Sequence, residues 1–244
     1  MEGGGRIIDI VRHYIGIRSG ESDPMSREKI KTEEKEEKLF GGFDVYFVCD
    51  RSGSMAGMYD GQVLWEFQRK VLYLILSSLY RLADKLKDAH LSPKNNLDVR
   101  TQVISFIDDD KIVEDKPLSS EFSGKDIVRM WKSLSEIGMG NGDVAAIQYL
   151  YGKIKEEIEA NPGKRNRLRI IIAFSDGGYV GQETEMKAWA EKLSEELGVI
   201  VVGIGLTEVA QTVPVVLNHP PKSFGEIVDK LENLPYVVAK HIVL

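Results

Sequence analysis

Cysteine is nearly absent. The 244 residues hold one, Cys49, so no intramolecular disulfide can form, and its place inside an apolar run marks it as a small buried hydrophobe, not a nucleophile. No apolar run approaches the roughly 20 residues needed to cross a bilayer, and the opening MEGGGRIIDIVRHYIG lacks the long apolar core of a secretory leader. These absences predict a cytoplasmic protein with no membrane partner, because a cysteine-poor interior fits a reducing compartment. Neither sign of charge dominates. With 32 Lys and Arg against 38 Asp and Glu the net charge is −6, which argues against a general nucleic-acid partner. What remains is ordinary for a folded protein: 43% hydrophobic and 29% charged residues, on a chain long enough for one large domain with a full core.

The chemistry concentrates in Phe43–Met55, FDVYFVCDRSGSM. Phe43, Val45, Tyr46, Phe47, Val48 and Cys49 form an apolar run with almost no alternation, the pattern of a strand buried on both faces of a parallel sheet. The run ends abruptly in Asp50, Arg51, Ser52, Gly53 and Ser54. A carboxylate and two hydroxyls at i, i+2 and i+4 thus sit at the carboxyl end of a buried strand, where open α/β sheets bind ligands. Three oxygen donors suit a hard cation such as Mg²⁺. The competing reading is a Ser/Gly turn that caps the following helix.

Residues 1–38 read as a charged helical extension. Ile7, Ile8, Ile10, Val11, Ile15 and Ile17 suit a short amphipathic helix or strand; Asp23-Pro24 then opens a Lys/Glu run spaced as a solvated helix, broken at Gly41-Gly42. The domain proper is expected over 39–244. After the Ser/Gly turn, the periodicity predicts a long helix over Gln62–Lys87 with Leu64, Phe67, Val71, Leu74, Ile75, Leu79, Leu82 and Ala83 on its apolar face. A strand follows over Leu97–Ile107. The polar turn Asp108–Asp110 lacks the glycine and glutamate of a calcium loop and leads into a returning hairpin strand at Lys111–Val113. Helices are predicted over Lys125–Leu134, with Ile127, Val128, Trp131 and Leu134 on one face, and over Val144–Ala160.

Between those helices lies a Gly-rich segment, IGMGNGDVAAI, which presents Asn141 and Asp143. Its backbone could cradle a phosphate, but the lysine and hydroxyl of a P-loop are missing. Lys164, Arg165, Arg167 and Arg169 read as a solvated loop that starts a strand. That strand, Leu168–Phe174, ends in Ser175-Asp176-Gly177-Gly178, so the opening pattern of buried strand, carboxylate and glycine recurs. A helix over Glu183–Leu197 and a strand over Val199–Ile204 follow. Thr207–Ser223 reads as a loop or edge strand, and Phe224–Leu231 and Tyr236–Leu244 as helices. None of His13, His90, His219 and His241 has a metal-type companion in the sequence.

Alternating strands and helices with one hairpin predict an α/β fold: a doubly wound, mostly parallel Rossmann-like sheet with an antiparallel edge strand and helices on both faces. With the motifs in place, Leu39–Leu244 resembles the von Willebrand factor A (VWA) family and its metal-ion-dependent adhesion site (MIDAS). The first part of that site, D-x-S-x-S, is matched by Asp50, Ser52 and Ser54, and the third, an Asp-Gly after the fourth strand, by Asp176-Gly177. The second is usually a threonine after glycines. Here Asn141 holds that spacing, while Asp143 before Ala146-Ile147 is similar to a variant in cobaltochelatase-like members. Asp143 is preferred, directly or through water; Asn141 stays open. With Asn141, two carboxylates neutralise a divalent ion; with Asp143 the site is net −1 and less attractive to an acidic partner.

The resemblance implies a non-enzymatic, metal-dependent protein-interaction domain. It would bind Mg²⁺ (or Mn²⁺ or Ca²⁺), with a partner's acidic side chain completing the coordination, and an AAA+ ATPase of the MoxR or chelatase type is a possible partner. Two alternatives stand beside it. One is a Mg²⁺-dependent phosphohydrolase with Asp50 as nucleophile, against which Ser52 stands where haloacid-dehalogenase-type enzymes place a second aspartate. The other is a chelatase-type subunit.

Overall fold

The computed structural model describes residues 42–88, 98–108, 110–162, 167–228 and 230–242. The expected N-terminal extension, His13, His90, Asp109, Lys164 and Arg165 lie outside the described residues. The elements are β1 (Gly42–Asp50), β2 (Met58–Tyr59), β3 (Gln62–Val63), α1 (Leu64–Asp88), β4 (Asp98–Phe106), β5 (Ile112–Ser119), α2 (Gly124–Ser133) and α3 (Asp143–Ala160). They continue with β6 (Arg167–Ser175), α4 (Glu183–Leu197), β7 (Val199–Gly205), α5 (Thr212–Val216), β8 (Ser223–Ile227) and α6 (Leu234–Ile242).

Six strands form one sheet in the order β5-β4-β1-β6-β7-β8, parallel throughout except for the antiparallel β4–β5 pair. This is the predicted doubly wound sheet. The chain leaves β1 towards β4 and returns on the other side at β6, so β1 and β6 border the switch point where such sheets open a crevice at their carboxyl ends. Every residue of β1 is buried. Phe43, Val45, Phe47 and Cys49 pack into one core with α1, α2 and α6. Tyr46 and Val48 pack into the other with α3, α4 and α5. The period of two along a strand divides one apolar run between two cores, which explains why β1 shows no alternation in sequence.

Several expectations need correction. Phe224–Leu231 is not a helix: Ser223–Ile227 is β8, paired parallel with β7. Without β8 the backbone groups along that side of β7 would be left open, and pairing them outweighs a weak local helical pattern. The loop Thr207–Ser223 contains the short helix α5. The first helix starts two residues later than expected because Gln62 and Val63 pair with Tyr59 and Met58 in a small hairpin. Its turn is Asp60-Gly61, both at positive φ (52° and 75°), the dipeptide a two-residue hairpin prefers. On α1, Leu64, Phe67, Val71, Leu72, Ile75, Leu76, Leu79 and Ala83 are buried, while Leu74 and Leu82 face outward. On α2 the buried residue is Met130, and Val128 is exposed.

The returning strand expected at Lys111–Val113 starts at Ile112 and runs on to Ser119 as β5, which buries Asp115 and Lys116. Inward charges and Pro117 suit an edge strand, where they discourage pairing with another chain. The basic cluster is also corrected: Arg167 and Arg169 are buried in an ion-pair network around Asp44, not solvated.

Candidate metal centre

The carboxyl ends of β1 and β6 open into a cleft of about 540 Å³ lined by Asp50, Ser52, Ser54, Asn141, Asp176, the apolar Met139 and Val180, and glycine-rich backbone. Five of the six residues predicted from the sequence therefore reach one cleft. The sixth, Asp143, does not line it; it is the first residue of α3 and is 1% exposed.

Hydrogen bonds tie the two motifs together. The Ser52 backbone N–H donates to Asp50 Oδ1 at 2.7 Å. The Ser52 and Ser54 hydroxyls share a bond of 2.9 Å, and Ser54 Oγ donates to Asp176 Oδ1 at 2.9 Å. Residues 122 positions apart are thus joined through one chain of hydroxyl contacts. The end of β1 is also fixed from α1. Gln68, buried, accepts from the Asp50 N–H at 3.2 Å and donates to the Asp50 carbonyl at 2.9 Å.

Arg51 is the residue whose importance sequence reasoning missed. It is the variable position of D-x-S-x-S, yet it is 1% exposed. Its guanidinium donates to the Glu136 carbonyl at 2.6 Å, Ser133 Oγ at 3.1 Å and Ser105 Oγ at 3.3 Å, and approaches Glu136 Oε2 at 3.3 Å. Its own carbonyl accepts from the Gly138 N–H at 2.7 Å. Arg51 therefore clamps the β1 loop to the segment that carries Asn141. Gly138 is required there, because a Cβ would stand 1.8 Å from the Ile107 carbonyl oxygen. Gln182, from the loop before α4, donates to the Asn141 carbonyl at 3.0 Å. Gln68 had left a signal: it is a polar residue on the buried stripe of α1, one turn from Leu64 and Leu72. Arg51 left none beyond its position.

The electrostatics point the same way. Burial, then the negative charge of Asp176, pushes the Asp50 carboxyl up to about 7. Burial, then the charges of Asp50 and Asp176, holds Asp143 well above the usual carboxylate range. Asp176 is raised by burial, although the Ser54 hydroxyl and nearby N–H groups offset part of this. Among the described residues no Lys or Arg pairs with any of the three, and neither Asp143 oxygen accepts a hydrogen bond of ordinary geometry. Buried, unpaired carboxylates are costly, and a bound cation is the usual remedy. Among the described residues, no three His, Cys, Asp or Glu side chains converge closely enough to hold a metal alone. Asp50 and Asp176 would have to share it with Ser52 and Ser54, an all-oxygen set that fits a hard divalent ion.

No curated relative matches the chain. Among solved structures, it is similar to the pilus adhesin SpaC from Lactobacillus rhamnosus GG in its open conformation, with a TM-score of 0.58 and 13% identity, covering 83% of this chain and 30% of that one. It is similar to proximal thread matrix protein 1 from the mussel byssus, a structure described with a zinc-occupied MIDAS motif, with a TM-score of 0.50 and 15% identity, covering 84% and 46%. An aerotolerance-related membrane protein from Bacteroides fragilis gives a TM-score of 0.50 and 16% identity, covering 82% and 98%. At these identities the likeness is one of fold. The chain spans less than half of the adhesin and byssus proteins. No described helix of this chain is long and apolar enough to cross a membrane. The von Willebrand factor type A domain profile matches residues 44–233, most of the chain and all of the sheet from Asp44 onward, and with the sheet order and both motifs in place the chain belongs to that family.

Proposed function

We propose that this domain binds a divalent cation in the cleft between β1 and β6 and uses it to hold a partner protein. The observation that carries the reading is the hydrogen-bonded chain Asp50–Ser52–Ser54–Asp176, set against buried carboxylates that have no cationic partner among the described residues. Asp50, Ser52, Ser54 and Asp176 would hold the ion. Asn141 would offer a neutral lining oxygen, and Asp143 would add negative charge from its buried position, favouring the cation. The ion supplies a Lewis-acidic point that accepts an oxygen donor from outside. The protein supplies rigidity: Gln68 fixes the Asp50 backbone, and Arg51 fixes the neighbouring loop.

Mg²⁺ is the cation favoured by an all-oxygen set, with Mn²⁺ and Ca²⁺ close behind. The zinc described in the mussel protein supports divalent occupancy of a related site. The cleft would bind without catalysing: Asp50 and Asp176 in its lining are assigned to the ion and not to acid-base or nucleophilic work. An AAA+ ATPase partner and a cytoplasmic setting belong to the same proposal; the lone buried Cys49 is compatible with the latter.

Isothermal titration with Mg²⁺ and Mn²⁺ tests the reading. Binding should appear in the wild type, vanish in Asp50→Ala and weaken in Asp143→Ala. Wild-type protein that takes up no divalent ion overturns it, and so does turnover of a chromogenic phosphate ester that is lost in Asp50→Asn.

A further inference from the structure

Two large apolar side chains stand uncovered at the cleft that holds the carboxylates. Met139 is 92% exposed and Val180 66% exposed, and both line it. They reach it from the strands on either side of β1: the Met139 segment is bonded to the end of β4, and Val180 follows β6. Scattered exposed apolar residues are normal on a surface. These two differ because both stand at the mouth of the same polar cleft.

The Met139 N–H donates to the Ile107 carbonyl at 3.1 Å and lies 3.4 Å from Asp108 Oδ1, while the Gly138 and Gly140 N–H groups on either side are also bonded. Beside Val180, Tyr179 is fully buried, its N–H donates to Thr212 Oγ1 at 2.7 Å, and its carbonyl accepts from the Gln182 N–H at 2.9 Å. Met139 is thus displayed on pinned backbone, and Val180 directly follows a pinned residue, at the mouth of a polar cleft, an arrangement that lowers the ordering cost of binding. Among the described residues the charged side chains in the lining are Asp50 and Asp176, whose charges a divalent ion would neutralise, and Asp108 stands beside Met139. Among the described residues no Lys or Arg in the lining would meet an acidic neighbour in a bound segment.

We propose that Met139 and Val180 are specificity determinants, and that the site takes an extended segment of a partner protein in which one Asp or Glu is flanked by apolar residues. This rests on the metal-binding reading above. The carboxylate would meet the cation, and the flanking side chains would cover Met139 and Val180. Aliphatic residues suit both contacts, and a flanking Asp or Glu would lose solvation with no Lys or Arg in the described lining to pair with.

The probe is a random linear peptide library displayed on phage, panned against the full chain in Mg²⁺ and eluted with EDTA. The expected pool is enriched in Asp or Glu with Leu, Ile, Met, Val or Phe on both sides. A synthetic peptide from that pool should bind Met139→Ser/Val180→Ser about tenfold or more weakly, the scale of losing two apolar contacts, while calorimetric Mg²⁺ affinity stays at the wild-type value. An acidic pool with no apolar flanks, unchanged peptide affinity in the double variant, or no EDTA-eluted pool from protein that does bind Mg²⁺ overturns this inference and leaves the metal reading standing. Absence of Mg²⁺ heat in the wild type overturns the metal reading and this inference with it.

Discussion

The two ends of β1 each bury an aspartate, and the two are treated in opposite ways. At the amino end, Asp44 is fully buried and surrounded by arginines. Arg100 contacts both of its oxygens at 2.8 and 2.7 Å, and Arg167 Nε approaches them at 2.9 and 3.0 Å. Arg100 and Arg169 reach on to Glu157, and Arg167 to Asp98. Burial alone would raise the Asp44 carboxyl, but hydrogen bonds and charge from Arg100 and Arg167 outweigh it and hold the group below its usual range. At the carboxyl end, Asp50 is just as deeply placed and is pushed up to about 7. One end of the strand is electrostatically complete within the described chain. The other has its anions assembled with no Lys or Arg paired to them among the described residues.

The comparison breaks first at Asp44. Asp44→Asn should lower unfolding free energy in urea by about 3–5 kcal/mol, because it leaves buried guanidinium groups uncompensated. The Mg²⁺ affinity of the folded fraction should not change. The sign of the pH dependence follows from the lowered folded-state pKa. The Asp44 contribution is fully present above the ordinary carboxylate value of about 3.9 and disappears as pH falls through the lower folded value. Urea curves of wild type and Asp44→Asn should therefore converge below about pH 4.

Next in size is Arg51→Ala, expected to cost about 2–3 kcal/mol through its lost charge-assisted bonds to Glu136, Ser133 and Ser105. Unlike Asp44→Asn, it should also weaken Mg²⁺ binding several-fold by calorimetry, since it frees the Asp50 loop from the Asn141 segment. Equal metal affinity in Arg51→Ala would show that the clamp serves stability alone.

The sequence exposed the parts of this arrangement that are local. D-x-S-x-S after an unbroken apolar run, and S-D-G-G after another, each carry their meaning within ten residues, and the sheet edge that joins them follows from strand–helix alternation. Partnership was hidden. Arg51 meets Glu136 across 85 positions and Asp44 meets Arg167 across 123, and no spacing rule links such pairs. Arg167 and Arg169 therefore read as loop charges, because their carboxylate lies on another strand. β8 was lost for a similar reason: a five-residue strand is defined by the β7 edge it pairs with, not by its own pattern. The Asp60-Gly61 hairpin carries a local signature in its turn dipeptide, but the helical periodicity beside it is the stronger pattern.

The sign of the comparison is sharpened at Asp143. In metal-free protein near pH 8, Asp143→Asn should raise unfolding free energy by about 1–2 kcal/mol, because it removes a buried carboxyl opposed by burial and by Asp50 and Asp176. The aspartate-to-asparagine change at Asp44 should do the reverse. Saturating Mg²⁺ should then stabilise the wild type more than the variant, narrowing or inverting the gap in thermal melts.

The smallest effect is expected at Met139. Its side chain is almost wholly exposed, and its backbone bonds do not depend on side-chain identity. Met139→Ser should therefore change unfolding free energy by no more than about 0.5 kcal/mol, the range for surface substitutions away from packed features. Mg²⁺ affinity should be unchanged as well, since the thioether is not among the oxygen donors. A loss well above 1 kcal/mol would mean that the side chain is packed in the free protein. Its exposure would then say nothing about a partner. A silent substitution in urea and in calorimetry that nevertheless weakens peptide capture would separate the groups that hold the ion from the groups that choose what the ion holds.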